Sequence, residues 1–164
     1  MKYGFIGLGN MAGAIIEGMA ASGKFEAGSI LGFNRSPGKT MALAEKCGLI
    51  PCESASDLVG KCDVIILAVK PQVMPEVMEE IGASVSGKQT VLTIAAGKNT
   101  AWYEERFENK VPVVRIMPNI NAKVKMAVSG VCGGCFADEE SIKIADEVFS
   151  TVGSVYHIEE KLFP

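Results

Sequence analysis

The stretch Met1-Lys2-Tyr3-Gly4-Phe5-Ile6-Gly7-Leu8-Gly9-Asn10-Met11-Ala12-Gly13 decides how the rest of the chain is read. An apolar run, Tyr3 to Ile6, leads straight into Gly7-Leu8-Gly9-Asn10-Met11-Ala12 and then into a helix-like segment from Ala14 to Ala21. Strand, glycine turn and helix in that order are what a dinucleotide fingerprint requires. Gly7 permits the tight turn, Gly9 lets a pyrophosphate approach bare backbone, and Ala12 is small enough for the helix to lie close on the strand. The free amides and positive dipole end of the helix would meet the diphosphate. The plainer reading is an ordinary strand-to-helix turn, but the placement of the glycines between a strand and a helix favours the nucleotide.

Outward from this loop, short β-rich runs alternate with helical segments. Strands are predicted over residues 3–6, 30–33, 64–69, 90–94 and 113–117, and helices over 11–21, 39–47, 55–59, 74–81 and 103–107. That alternation predicts an α/β fold of the Rossmann type, a doubly wound, largely parallel sheet with helices on both faces. The last third reads as a strand at 127–132, a helix at 141–151 and a strand at 154–158. One domain over 1–158 is expected, with 159–164 opening a linker. With 164 residues, 48% of them hydrophobic, the chain can bury a real core. A net charge of −3 without a basic run argues against nucleic acid as a partner. No apolar stretch is long enough to cross a bilayer, and Met1-Lys2 enters a strand with no room for a signal peptide. Five cysteines, an odd count, fit reduced thiols in the cytoplasm.

The ends of the predicted strands carry the remaining polar signals, where open parallel sheets bind ligands. The second strand is followed by Asn34-Arg35-Ser36, with Lys39 a helical turn later, where NAD-preferring folds place Asp or Glu. Asn34 can bond a ribose hydroxyl, while Arg35 and Ser36 can hold a 2′-phosphate. NADPH is therefore favoured, with NADH still compatible. A polar turn whose serine caps the next helix would also explain Ser36-Pro37. Ala68-Val69-Lys70-Pro71 follows the third predicted strand, Ala95-Ala96-Gly97 the fourth and Pro118-Asn119 the fifth. The small residues would leave room for a nicotinamide ring, Lys70 would attract an anionic group, and Asn119 could orient a polar ligand atom. Cys132-Gly133-Gly134-Cys135 has the spacing of a redox or zinc motif, but it reads as a turn after a strand and lacks two further ligands. His157, the only histidine, lies in the last strand and reads as a surface residue; the eight methionines read as core filler.

Taken together, Gly7-Leu8-Gly9-Asn10-Met11, Ala68-Val69-Lys70-Pro71-Gln72, Ala95-Ala96-Gly97 and Arg115-Ile116-Met117-Pro118-Asn119 resemble the successive signatures of pyrroline-5-carboxylate reductase. The order and spacing match across nearly the whole chain, and the Lys-Pro-Gln and Arg-x-Met-Pro-Asn elements are more specific than the glycine loop. The resemblance implies NAD(P)H-dependent reduction of a small cyclic imine to proline, the last step of proline synthesis. It implies that Asn34, Arg35 and Ser36 face the adenosine end, and that Ala68, Lys70, Pro71 and Ala95 to Gly97 line the nicotinamide end. It also implies a helical carboxyl-terminal domain that binds substrate, carries most catalytic groups and makes a full-length form a homo-oligomer. Leu162-Phe163-Pro164 falls where that domain would begin. The family continues Met-Pro-Asn with Thr-Pro-Ala, whereas this chain has Ile120-Asn121-Ala122. Two other readings stand beside this one: the cofactor domain of a hydroxyacid or prephenate dehydrogenase, and a nucleotide-binding module without catalysis.

Overall fold

Parallel strands covered on both faces must be apolar throughout, because neither face meets water. The runs Tyr3–Ile6 and Val64–Leu67 meet that requirement with every residue buried, and Thr90–Thr93 is equally buried, with Thr93 satisfying its hydroxyl by a hydrogen bond to Tyr103. The computed structural model describes residues 1–118 and 127–164. Its strands are β1 (Tyr3–Ile6), β2 (Ile30–Phe33), β3 (Ile50–Pro51), β4 (Val64–Leu67), β5 (Thr90–Thr93), β6 (Val113–Met117), β7 (Ala127–Gly133) and β8 (Gly153–His157). The helices are α1 (Asn10–Ser22), α2 (Pro37–Cys47), α3 (Ala55–Lys61), α4 (Met74–Ile81), α5 (Thr100–Glu104) and α6 (Glu139–Phe149), followed by a 3₁₀ turn at Glu160–Leu162.

The strands form one sheet in the order β3-β2-β1-β4-β5-β6-β7-β8. Pairing is parallel except between β6 and β7, where Arg115 stands opposite Cys132. The chain winds outward from β1 in one direction and then returns to place β4 on its other side, with Ile6 beside both Phe33 and Leu67. The crevice at this reversal lies beyond the carboxyl ends of β1, β2 and β4. One face of the sheet packs against α1 and α6 through Ile15, Ile16, Met19, Val148 and Phe149. The other packs against α3, α4 and α5 through Leu58, Met74, Met78, Ile81 and Tyr103.

The doubly wound sheet expected from the alternation is the observed one, and the bounds of 3–6, 30–33, 113–117 and 74–81 hold without change. The helix expected at 103–107 lies instead at Thr100–Glu104, because the Asn99 side chain accepts from the Trp102 amide and starts it earlier. The helix expected at 141–151 runs from Glu139, set by a capping box between Asp138 and Ser141. The strands expected at 64–69 and 90–94 end at Leu67 and Thr93. The two-residue β3 escaped detection, being too short to show any period. Met19, Met74 and Met78 do fill the core, but Met1 and Met41 are exposed. All five cysteines are free. Burial pushes the Cys62 thiol up to about 12, with Cys52 adding to it, so it is chemically inert at neutral pH.

Candidate functional site

The glycine loop leaves β1 with Gly7 at φ +95°, a left-handed conformation that favours glycine. A Cβ on Gly7 would come 2.8 Å from the Ala68 carbonyl and from the Val69 nitrogen, so the loop lies against the backbone leaving β4. The Gly7 amide donates to the Phe33 carbonyl at 2.9 Å. Gly9 is different. It sits at the N-cap of α1 in an extended conformation, and a Cβ there would meet nothing within 4 Å. No side chain caps α1, and its first turn carries no acid. The first amides of this 13-residue helix follow a bare glycine, and among the described residues no side chain caps them.

Asn34 ties this loop to the end of β2. Its Oδ1 accepts from the Leu8 amide at 3.0 Å, and its Nδ2 donates to the Ser36 carbonyl at 3.1 Å. Both polar ends of the side chain are thus engaged by the protein itself. Ser36 stands at the N-cap of α2, but its hydroxyl makes no capping bond, so the expected serine cap is absent; Pro37 at the first helical position shapes the start instead. Arg35 donates to the Glu76 carboxylate on α4.

These elements enclose a cleft of about 350 Å³, within the range of small-molecule sites. Of the residues expected at the site, Gly7, Gly9, Asn34, Arg35, Ser36, Ala68, Val69 and Lys70 line it. Asn10, Met11 and Ala12 lie in the first turn of α1 outside the lining, and Ala12 is buried beneath the helix. Pro71 follows Lys70 just outside it, and Ala95, Ala96 and Gly97 lie beyond the end of β5. Asn119, with Ile120, Asn121 and Ala122, lies outside the described residues. Val73 and Val77 form a wall of the cleft that sequence reasoning missed. Their spacing of four on a helix was the available signal. The charged residues lining the cleft are Arg35, Lys39 and Lys70, with no carboxylate among them.

Elsewhere the structure holds a second polar cluster at the β5–β6 edge. The buried Thr93 hydroxyl donates to the Tyr103 hydroxyl at 2.8 Å and accepts from the Ala95 amide at 3.3 Å. Burial raises the Tyr103 pKa, so the phenol stays neutral. The Glu160 carboxylate accepts from the Thr100 amide and hydroxyl, and the Phe163 ring lies 4.7 Å from the buried Arg115 guanidinium. His157 pairs on the surface with Asp146 at 2.9 Å, away from the cleft, as its reading required. Cys132 ends in β7 and Cys135 follows in an exposed turn, and no cluster able to hold a metal occurs among the described residues.

A parallel sheet that reverses its winding beside an open glycine loop, under a cation-lined cleft, defines a nucleotide-binding domain of the doubly wound class. Residues 2–97 match the family described as NADP oxidoreductase, coenzyme F420-dependent, and the chain belongs to that family. The chain is 34% identical over 161 residues to the pyrroline-5-carboxylate reductase of Methanosarcina acetivorans, an alignment covering 98% of this chain and 60% of the relative. The structure of a pyrroline-5-carboxylate reductase from Coxiella burnetii superimposes with a TM-score of 0.91 at 30% identity, covering 98% of this chain and 59% of that one. The Plasmodium falciparum pyrroline carboxylate reductase, crystallised with NADP bound, gives 0.85 at 25% identity, with 98% and 58% covered. The resemblance read from the four motifs is therefore borne out, and the chain spans about three fifths of the length of these relatives.

Proposed function

We propose that this chain is the dinucleotide-binding part of a pyrroline-5-carboxylate reductase and holds NADPH in the cleft, with NADH as the weaker alternative. The observation that carries the proposal is the open space over Gly9, at the uncapped amino terminus of α1. A diphosphate fits that space: it needs amide donors, close approach to backbone and no nearby carboxylate. The main chain from Gly7 to Ala12 takes the diphosphate. Arg35, Ser36 and Lys39 take the adenosine end, with Asn34 holding the loop in place. Ala68, Val69, Lys70 and Pro71, with Ala95, Ala96 and Gly97, form the nicotinamide end, and Asn119, outside the described residues, is assigned a substrate-side contact from the motif alone.

A reduced nicotinamide cofactor, when bound, supplies the hydride that turns 1-pyrroline-5-carboxylate into L-proline. This chain's own contribution would be geometric: the residues lining the cleft would hold and orient the cofactor. The single histidine pairs with Asp146, and among the described residues no acid–base pair lines the cleft. Substrate contacts and most catalytic groups are assigned to the two fifths of the relatives' length that this chain does not span. Residues 1–158 form the cofactor domain and 159–164 begin the connection. The free thiols agree with a cytoplasmic setting.

Fluorescence titration of this chain with NADPH and NADH tests the cofactor reading. Arg35→Asp is expected to weaken NADPH more than NADH; equal loss for both removes the phosphate-binding role. A protein of the relatives' full length, offered 1-pyrroline-5-carboxylate against hydroxyacids, tests the substrate. Turnover of the hydroxyacid alone overturns the reductase assignment.

A further inference from the structure

We propose that Glu76 sets the coenzyme preference of this chain by competing with a 2′-phosphate for the Arg35 guanidinium, so that removing its charge shifts the balance toward NADPH. The inference rests on the dinucleotide reading of the cleft and adds a residue that does not line it.

Arg35 stands just past the carboxyl end of β2, where doubly wound sheets receive the adenosine ribose. Its guanidinium is bonded to Glu76, which lies in the first turn of α4, 41 positions along the chain. At the N-cap and in the first turn of that helix, Val73 and Val77 wall the cleft, and Glu76, beside Val77 in sequence and bonded to the lining residue Arg35, stands at its rim. The pair therefore spans from the β2 exit to α4 beside the ribose end. Glu76 has its own reason to be there, since an acid in the first helical turn is favoured by the helix dipole. Within the cleft itself the charges are all cationic. The carboxylate bonded to Arg35 is therefore one that an anion drawn to that guanidinium must meet.

The two coenzymes differ in what they ask of this pair. A ribose 2′-hydroxyl is neutral and bonds to one of the remaining guanidinium N–H groups, leaving the ion pair closed. A 2′-phosphate carries between one and two negative charges and needs the planar fork of Arg35 for a two-point contact. It must then take Arg35 from Glu76 and leave a carboxylate beside the phosphate. Both side chains are well exposed, at 62% and 68%, so the pair is weak and readily exchanged. Glu76 thus lowers NADPH affinity without closing the site, and NADH is scarcely affected.

The test is a titration of the whole chain and of Glu76→Gln with NADPH, NADH, adenosine 2′,5′-bisphosphate and 5′-AMP at low salt. Glu76→Gln is expected to tighten NADPH and the bisphosphate about three- to tenfold, an estimate for loss of an exposed competing charge. NADH and 5′-AMP should change less than twofold. In an Arg35→Gln background the same substitution should lose most of this effect, which a general change in stability would not do. Equal changes for the paired ligands, or an undiminished effect without Arg35, overturn the proposal. Failure of the unaltered chain to bind any dinucleotide overturns it too, and that result is recognised by appearing before any substitution is made.

Discussion

Two glycines two positions apart serve different ends, and substituting alanine at each separates them. At Gly7 the backbone has φ +95°, and an added Cβ would stand 2.8 Å from main-chain atoms of Ala68 and Val69. Those atoms belong to the backbone leaving β4 and cannot swing aside. The left-handed conformation alone costs a non-glycine residue about 1–3 kcal/mol, and forcing atoms into packed structure adds about 1–3 kcal/mol. Gly7→Ala is therefore expected to lose about 2–6 kcal/mol of a stability of roughly 5–15 kcal/mol. The thermal midpoint should fall by roughly 4–24 °C, at about 2–4 °C per kcal/mol for a chain of this size. At Gly9 the backbone is extended at φ −74°, and the Cβ would enter open space. The small disadvantage of alanine as an N-cap is offset by the lower entropy of its unfolded chain, leaving about 0.5 kcal/mol either way. The methyl group would instead stand in the way of the diphosphate, so NADPH binding should weaken at least about tenfold, or about 1.4 kcal/mol. Urea unfolding and fluorescence titration of both variants read the two effects separately. If Gly9→Ala unfolds as easily as Gly7→Ala, or binds NADPH within twofold of the parent chain, the bare-backbone cradle is wrong.

Asn34→Ala leaves the nearly inaccessible Leu8 amide without its acceptor and should cost about 1–3 kcal/mol in urea unfolding. Asn34→Asp keeps the acceptor, so it should lose less and shift coenzyme preference toward NADH; equal destabilisation by both removes the tie between the loops. Asp138, whose carboxylate accepts from the Ser141 amide, has its pKa held below the usual value by that bond. A depressed folded-state pKa means that the contribution is present above the unfolded value and lost as pH falls through the folded one. The urea midpoint should therefore drop below about pH 4, and Asp138→Asn, which keeps a capping oxygen, should show a shallower drop; identical acid profiles would exclude this source.

The legible parts of this protein obey rules acting over a few residues. The glycine loop shows itself because the left-handed turn at Gly7 demands glycine locally and the spacing to Gly9 matches a known fingerprint, and the parallel strands show themselves as largely apolar runs. Ala95 to Gly97 read as part of the site from their position after a strand; they lie outside the lining of the cleft, since a strand end in sequence says nothing of depth along the sheet edge, and the nicotinamide end proposed for them extends beyond that cleft. Asn34 was read as a ligand for ribose, but its side chain already holds the Leu8 amide and the Ser36 carbonyl. Its residue type advertised hydrogen bonding without saying to whom.

From the sequence alone came the fold class, the place of the glycine loop between strand and helix and the family resemblance, because each is encoded in contiguous spacing and in local backbone preference. Tertiary structure alone decided that Val73 and Val77 form a wall, that Glu76 holds Arg35, and that Gly7 is pressed against Ala68 while Gly9 is not. Those facts depend on β1 lying between β2 and β4, a pairing of segments some thirty to sixty residues apart, and no preference acting within a few residues specifies which distant side chains a sheet will bring together.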